Sequence, residues 1–282
     1  MLRPIILLFI LFSGNFLLAQ NPADKYPYAV VAGGSKGFGY GISVALAKRQ
    51  FNLVIIARDA DTLQKVKNEI ESKYKVKVDV LSYDLSNQES TKAVSDYCLE
   101  RKLPVKVLCN IVGIGGSNDY LKLPVDSLNY MIDLNIKPGM TLTMNLLPLL
   151  EANAPSYIMN VSSMAGFAPI PQKNMYSATK SAVTFFSYSL RYQLKDRGIT
   201  VSCLAPGPVY TKPSIKKETK KRLGFMGNLM AVPPMRVGEI AVKKTLAGRM
   251  MIVPGTVPKI MSGFLRIMPR RWAASAYNKF GG

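Results

Sequence analysis

Short apolar runs alternate with longer helical segments along most of this chain, and this alternation limits the possible fold more than any other feature. The run at 52–57 (NLVIIA) is almost continuously apolar, as expected for a strand buried on both faces of a parallel sheet. The segment 60–74 that follows it is charged, with apolar residues at helical spacing. Further strands are predicted at 28–32, 77–82, 105–110, 156–161, 200–204 and 250–253, and a long helix is predicted to end near Leu150. Strands separated by helices predict an α/β protein with a doubly wound parallel sheet.

A glycine-rich segment joins the first predicted strand to the first predicted helix. Glycines allow a tight turn there, and their missing side chains let the backbone and the helix N-terminus approach a pyrophosphate. The spacing is Gly-x-x-x-Gly-x-Gly, which differs from the better-known Gly-x-Gly-x-x-Gly pattern. The segment therefore predicts a dinucleotide site, with candidate binding residues Gly33, Ser35, Lys36, Gly37, Phe38 and Gly39.

The residue after the second predicted strand indicates which dinucleotide is bound. Proteins that bind NAD usually carry Asp or Glu near this point, where the acid accepts a hydrogen bond from a ribose hydroxyl. This chain has Arg58 instead, and Lys36 adds a second positive charge from the glycine loop. Positive charge suits a 2′-phosphate, so the sequence favours NADP over NAD. The alternative is that Arg58 is an ordinary surface arginine.

Tyr176 and Lys180 are the candidate proton-transfer pair. They lie four residues apart in a predicted helix, so their side chains share one helix face. A nearby ammonium favours phenolate, so Lys180 is expected to lower the pKa of Tyr176. Ser163 follows the strand predicted at 156–161, where its hydroxyl could polarise a carbonyl oxygen. Alone, a Tyr–Lys pair at this spacing is most often a surface pair; Ser163 and the glycine loop favour the catalytic interpretation.

The chain contains no histidine, which excludes several classes of active site. Ser-His-Asp and Cys-His catalysis are impossible, and the commonest zinc and iron ligand is missing, so no metal is predicted. The three cysteines are far apart in the sequence. Cys109 and Cys203 lie in apolar, strand-like runs, which predicts small core residues and not disulfide partners or nucleophiles.

Taken in order, these motifs resemble the short-chain dehydrogenase/reductase family over residues 26–255. The resemblance implies one Rossmann-fold domain in which hydride passes between a nicotinamide and a carbonyl or secondary alcohol. Tyr176 would supply the proton, Ser163 would steady the oxyanion, and Lys180 would bind the nicotinamide ribose. The resemblance also adds candidates: Asn135 as the fourth catalytic residue, Asp84 near the adenine, Asn110 after the fourth strand, and Pro206, Gly207, Val209 and Thr211 over the nicotinamide. The sequence departs from the family pattern at Ala32, where threonine is usual, and at Ile111-Val112.

Within this family the chain looks most like membrane-associated hydroxysteroid and 3-ketoacyl reductases and their bacterial relatives. A lipophilic substrate is expected, with apolar residues of the segment 212–234 forming a lid, and the family implies a homodimer or homotetramer. Two other functions stay open. One is a dinucleotide-binding regulator or scaffold without turnover, and the other is a nucleotide-sugar epimerase or dehydratase built on the same Tyr–Lys pair.

The two ends of the chain suggest contact with a membrane. Residues 1–20 contain an apolar run behind Arg3, which predicts either a signal peptide or a membrane anchor. Residues 256–282 are predicted to form a basic amphipathic tail. The formal net charge is +20, but no nucleic-acid-binding motif is present, so an anionic membrane surface is favoured over nucleic acid or a merely solvated face. These features predict a membrane-associated or exported protein, with cofactor supply favouring a site that faces the cytosol.

Overall fold

A parallel sheet of seven strands forms the centre of the protein. The structure, a computed structural model, describes residues 25–115, 120–209 and 231–280. Neighbouring strands pair in parallel throughout the sheet. The strands are β1 Tyr28–Ala32, β2 Asn52–Ala57, β3 Val78–Ser82, β4 Val105–Asn110, β5 Ser156–Val161, β6 Ile199–Leu204 and β7 Met251–Ile252.

Helices cover both faces of this sheet. They are α1 Gly37–Ala47, α2 Ala60–Tyr74, α3 Gln88–Glu100, α4 Val125–Asn135, α5 Lys137–Ala152, α6 Asn174–Gln193, α7 Pro234–Leu246, α8 Thr256–Ile267 and α9 Arg270–Phe280. Short 3₁₀ turns lie at Tyr120–Lys122, Met164–Gly166, Pro171–Lys173 and Lys195–Arg197. The predicted fold, a doubly wound parallel sheet of the Rossmann type, is confirmed.

The strand order places a crevice at the middle of the sheet. The order is β3-β2-β1-β4-β5-β6-β7, so the chain builds outward from β1 to β3, returns, and then builds outward from β4 to β7. The loops that follow β1 and β4 therefore lead away in opposite directions. In sheets of this kind, ligands bind in the crevice that these loops leave at the carboxyl ends of the strands.

Apolar side chains fill the space between the sheet and each helix layer. Along β1, Ala29 and Val31 pack in the cluster that includes apolar side chains of α1, α2 and α7. Val30 and Ala32 point the other way, into the cluster that includes side chains of α3, α5 and α6. Full burial of one such valine contributes about 1.5–3 kcal/mol, which explains why central strands read as continuous apolar runs.

Two predicted elements differ from the structure, while the cysteine prediction is confirmed. The long helix before β5 is two helices, because the backbone turns at Ile136. Pro138, which has no amide donor, fits the first turn of the second helix. The strand predicted at 250–253 contains only Met251–Ile252, since it pairs with β6 at just two positions. The three cysteines are free and buried.

The predicted membrane-associated or exported location is contradicted. Among residues 25–115, 120–209 and 231–280, no helix is both long and apolar enough to cross a bilayer. The longest of these helices, α6, has 20 residues, but polar side chains such as Ser177, Thr179 and Lys180 interrupt its apolar ones. Residues 1–20, predicted to be a signal peptide or an anchor, lie outside the described residues.

Candidate active site

The predicted site residues gather at the carboxyl edge of the sheet. Six strands end beside one of them: β1 at Gly33, β2 at Arg58, β3 near Asp84, β4 at Asn110, β5 near Ser163 and β6 near Pro206. Helix α6 brings Tyr176 and Lys180 to the same edge, and α4 brings Asn135. Thr211 lies outside the described residues.

Ser163 and Tyr176 interact directly with each other. Ser163 caps the 3₁₀ turn Met164–Gly166, and its Oγ accepts a hydrogen bond from the amide of Ala165 at 3.2 Å. Burial raises the pKa of Tyr176, and a hydrogen bond with Ser163 lowers it in part. The predicted lowering by Lys180 is therefore not found, because loss of solvent outweighs the other effects on the phenol. Tyr176 is held as a neutral phenol that can donate a proton.

Lys180 lies buried below this pair. Its Nζ is 5.9 Å from the centre of the Tyr176 ring and donates a hydrogen bond to the carbonyl oxygen of Val161 at 3.0 Å. Only 4% of the residue is exposed. Loss of solvent lowers the pKa of Lys180 to about 8, so the amine can change its charge near neutral pH.

Asn135 ties the loop after β4 to helix α6. Its Oδ1 accepts from the amide of Ile114 at 2.7 Å, and its Nδ2 donates to the Ile114 carbonyl oxygen at 3.0 Å and to Thr179 Oγ1 at 3.1 Å. A Cβ placed on Gly113 would lie 2.9 Å from Asn135 Oδ1 and 3.1 Å from Lys180 Nζ. The two predicted catalytic residues thus flank one glycine, and the Asn135 amide fixes the loop that separates them.

The glycine loop forms a cradle that suits a pyrophosphate. Gly33 has φ +93°, in the region that favours glycine, and a Cβ on Gly39 would lie only 2.1 Å from the Gly33 carbonyl oxygen. Helix α1 begins at Gly37, and no side chain caps its first amides. A bound anion can accept hydrogen bonds from such amides. The remaining predicted loop residues lie within the cradle: Ser35, which is buried, Lys36, and Phe38, which packs on the core.

Charged side chains surround the ends of β2 and β3. Arg58 lies 3.8 Å from the Asp84 carboxylate, and 63% of its side chain is exposed. Lys36 Nζ pairs with the Asp59 carboxylate at 2.7 Å, and that carboxylate also caps α2. The hydrogen bond from Lys36 is the main reason why the pKa of Asp59 lies well below its usual range. The two predicted phosphate-binding cations are therefore present at this end of the crevice, each beside a carboxylate.

Comparison with known proteins identifies the family. The family model for short chain dehydrogenases matches residues 27–222, which include the glycine loop, Ser163, Tyr176 and Lys180. The chain belongs to the short-chain dehydrogenase family. As a member of this family it is an NAD(P)-dependent oxidoreductase that acts on small molecules.

Named relatives and solved structures agree with this assignment. The chain is 35% identical over 215 residues to the very-long-chain 3-oxoacyl-CoA reductase-B of Danio rerio, covering 74% of this chain and 68% of that protein. Its fold matches the bulky-bulky ketone specific alcohol dehydrogenase of Comamonas testosteroni, with a TM-score of 0.72, 23% identity, and coverage of 89% and 98%. It also matches L-sorbose reductase of Gluconobacter frateurii, described as a complex with NADPH and L-sorbose, with a TM-score of 0.71, 21% identity, and coverage of 82% and 96%.

Sequence reasoning missed a buried polar network beneath the site of this dehydrogenase. Asn110 Nδ2 donates to Asn160 Oδ1 at 2.8 Å, and Asn160 Nδ2 donates to Ser187 Oγ at 3.0 Å. Asn110 Nδ2 also lies 3.2 Å from Thr143 Oγ1. This network joins β4 and β5 to helices α5 and α6. The only signal for this network in the sequence is an asparagine near the end of each of two apolar strands. Such an asparagine indicates hydrogen-bond partners, since buried amides need them.

The C-terminal helices form a second part of the site that sequence reasoning missed. Arg270 of α9 donates a hydrogen bond to the carbonyl oxygen of Phe167, and Arg266 of α8 lies over the Phe167 ring, 4.6 Å from its centre. A Cβ on Gly207 would lie 3.3 Å from Pro258 of α8. In this dehydrogenase, α8 and α9 thus contact both the loop after Ser163 and the segment after β6.

Proposed function

We propose that this dehydrogenase uses NADP(H) to interconvert a carbonyl group and a secondary alcohol in a lipophilic substrate. The observation that carries the proposal is the hydrogen bond between Ser163 and Tyr176, with buried Lys180 beneath them. Two hydroxyl groups close enough to interact can bind a single carbonyl oxygen between them. The cofactor, when bound, supplies or accepts the hydride at the carbonyl carbon.

The three side chains have distinct roles in this proposal. Tyr176 is a neutral phenol because burial raises its pKa, so it can donate its proton to the carbonyl oxygen as negative charge develops there. Ser163 donates a second hydrogen bond to that oxygen, and an oriented donor of this kind contributes several kcal/mol. Lys180, with its pKa lowered to about 8, supplies positive charge that favours the phenolate left after proton transfer.

The choice of NADP rests on the charges at the end of β2. A 2′-phosphate needs cationic donors, and Arg58 presents a largely exposed guanidinium at the position where NAD-binding proteins usually have an acid. Lys36 lies in the neighbouring loop, although it is paired with Asp59. Of the two cations, Arg58 is therefore the main candidate for the phosphate.

The substrate class to test first is a 3-oxoacyl thioester with a long acyl chain. The relative of 35% identity is named a very-long-chain 3-oxoacyl-CoA reductase, and such a substrate combines a ketone with a long apolar chain. The residues around Ser163 fit this character, since Met164, Phe167 and Ala168 form an apolar cluster with Leu265 of α8. Of the segment 212–234 that is predicted to form the lid, residues 212–230 lie outside the described residues.

The test is NADPH oxidation by the full chain with 3-oxoacyl-CoA substrates of increasing chain length and with a small ketone. Turnover should increase with chain length, because a longer chain buries more apolar surface. Tyr176→Phe should lower kcat at least about 100-fold, as expected when a general acid is removed, while NADPH still binds. Near wild-type turnover in Tyr176→Phe would contradict the mechanism. Tight NADPH binding without turnover of any carbonyl would instead support the regulator that the sequence also allows.

We also propose that the protein forms a homodimer or homotetramer through α5 and α6. Phe185 and Tyr192 lie seven residues apart on one face of α6 and are 68% and 78% exposed, and Met144 of α5 is 48% exposed. Large exposed apolar side chains grouped in this way are typical of protein interfaces. Light scattering on the wild type and on Phe185→Glu tests the proposal, with a smaller particle expected for the variant. A wild-type monomer would contradict it.

A further inference from the structure

Tyr130 reaches from helix α4 to the two charged residues at the ends of β2 and β3. It contacts Arg58, which follows β2, and Asp84, which follows β3, so the contact joins three separate parts of the chain. We infer that Tyr130 is a specificity-determining residue that holds Arg58 in the orientation needed to bind the 2′-phosphate of NADP(H). This inference rests on the NADP preference proposed above.

The phenol of Tyr130 lies between a cation and an anion and interacts with both. Arg58 Nη1 donates a hydrogen bond to Tyr130 Oη at 2.9 Å, and Tyr130 Oη lies 3.5 Å from Asp84 Oδ2, to which it can donate. The direct distance from Arg58 Nη1 to the Asp84 carboxylate is longer, at 3.8 Å. A hydroxyl group is suited to this position because it can accept from one partner and donate to the other.

Asp84 is itself held firmly in place. Its Oδ1 accepts hydrogen bonds from the amide of Ser86 at 3.0 Å and from the Ser86 hydroxyl at 2.8 Å. Burial acts to raise the pKa of Asp84, but these bonds together with Arg58 and Tyr130 lower it, so the group remains a carboxylate. An anchored carboxylate next to a largely exposed arginine would normally form a direct ion pair with it.

Tyr130 prevents Asp84 from binding the guanidinium of Arg58 through more than one nitrogen. Only Nη1 of Arg58 is engaged with Tyr130 and Asp84, and within the described residues Nε and Nη2 have no hydrogen-bond partner. These two donors form one edge of the planar guanidinium, and such an edge binds a phosphate through two parallel hydrogen bonds. Lys36 is a weaker candidate for the same phosphate because its amine already pairs with Asp59 at 2.7 Å.

The experiment compares binding of 2′,5′-ADP and 5′-AMP to the full chain by calorimetry. These ligands differ only in the 2′-phosphate, so their affinity ratio reports that phosphate alone and needs neither substrate nor turnover. Tyr130→Phe should weaken binding of 2′,5′-ADP about threefold to tenfold, the usual effect of losing one hydrogen bond, and leave binding of 5′-AMP unchanged. Arg58→Met should remove most of the preference. The double variant should be no worse than Arg58→Met alone, because Tyr130 acts through Arg58.

Tyr26→Phe is the matched control. It also removes a hydroxyl that accepts one hydrogen bond, from Gln50 at 2.8 Å, but it lies before β1, at the opposite edge of the sheet. It should leave both affinities unchanged.

Three results would overturn the inference while leaving the NADP proposal intact. Tyr130→Phe could keep the wild-type preference, it could weaken 5′-AMP as much as 2′,5′-ADP, or its effect could add fully to that of Arg58→Met. Equal binding of both ligands by the wild type would be a different result, because it would refute the NADP preference itself and the inference with it.

Discussion

Replacing Lys180 by methionine is expected to stabilise the folded protein at neutral pH while removing activity. The wild-type amine is 4% exposed and carries its charge away from water. Loss of solvent lowers its pKa from the usual 10.5 to about 8, which means that the fold disfavours the charged form. Methionine has a similar length and no charge, so it removes this cost.

The magnitude follows from the pKa. Each tenfold change in the ionisation equilibrium corresponds to about 1.4 kcal/mol, so the buried charge costs the folded state about 3 kcal/mol at pH 7. The variant also loses the hydrogen bond from Nζ to the Val161 carbonyl oxygen, which is worth about 1 kcal/mol. The expected net gain in the free energy of unfolding is therefore about 2 kcal/mol.

The dependence on pH gives a sharper test. Below pH 8, Lys180 is charged in both the folded and the unfolded protein, so the folded state carries the whole cost. Between pH 8 and 10.5 the folded protein releases the proton first, and the cost fades. The advantage of Lys180→Met over the wild type should therefore shrink by about 2 kcal/mol between pH 7 and pH 9.5.

Urea unfolding of both proteins at pH 7, 8.5 and 9.5 measures this difference, with Lys65→Met as the control. Lys65 is an exposed lysine on α2, so its replacement should change stability little and equally at each pH. Lower stability of Lys180→Met at pH 7 would refute the reasoning, as would a stability difference that does not vary with pH. The expected pattern would show that the fold retains a buried cation at a cost to its stability.

Two further substitutions test how the fold supports the site. Gly238→Ala should destabilise the protein by about 1–3 kcal/mol in thermal or urea unfolding, because the new Cβ would lie 2.2 Å from the carbonyl carbon of Gly41 in α1. The control Gly263→Ala should be tolerated, because a Cβ there has nothing within 4 Å. Wild-type stability of Gly238→Ala would show that α1 and α7 can separate at little cost. Arg270→Met should lower the free energy of unfolding by about 1–3 kcal/mol and speed amide hydrogen exchange at residues 164–168, because the Phe167 carbonyl loses its charged donor. Unaltered exchange at these residues would show that α9 does not hold the loop.

The fold and most of the candidate site could be predicted because the relevant signals are local. The continuous apolar run of β2 predicts a strand buried on both faces, and a glycine loop directly after β1 predicts the phosphate cradle. In a parallel sheet the ends of the strands share one edge, so the sequence alone places Arg58 and Ser163 at that edge. Asn110 became a candidate only through the resemblance to the family. The spacing of Tyr176 and Lys180 likewise determines that they share a face of α6.

Effects of burial could not be predicted from spacing. Because Tyr176 and Lys180 share a helix face, the sequence predicts that Lys180 lowers the pKa of Tyr176. In the fold, burial instead raises the pKa of Tyr176 and lowers the pKa of Lys180. Both changes depend on how much water the surrounding elements exclude, which is a property of the assembled structure. For the same reason the network of Asn110, Asn160 and Ser187 could not be recognised from single polar residues in apolar elements.

The sequence by itself therefore determined the order of strands and helices, the edge of the sheet where the chemistry lies, and the residue types available for it. These depend on periodicity and on motifs a few residues long. Only the tertiary structure decided that Tyr130 lies against Arg58, 72 positions apart, and that Arg270 binds the Phe167 carbonyl, 103 positions apart. Contacts over such separations depend on how helices pack on the sheet, and no local pattern records that packing.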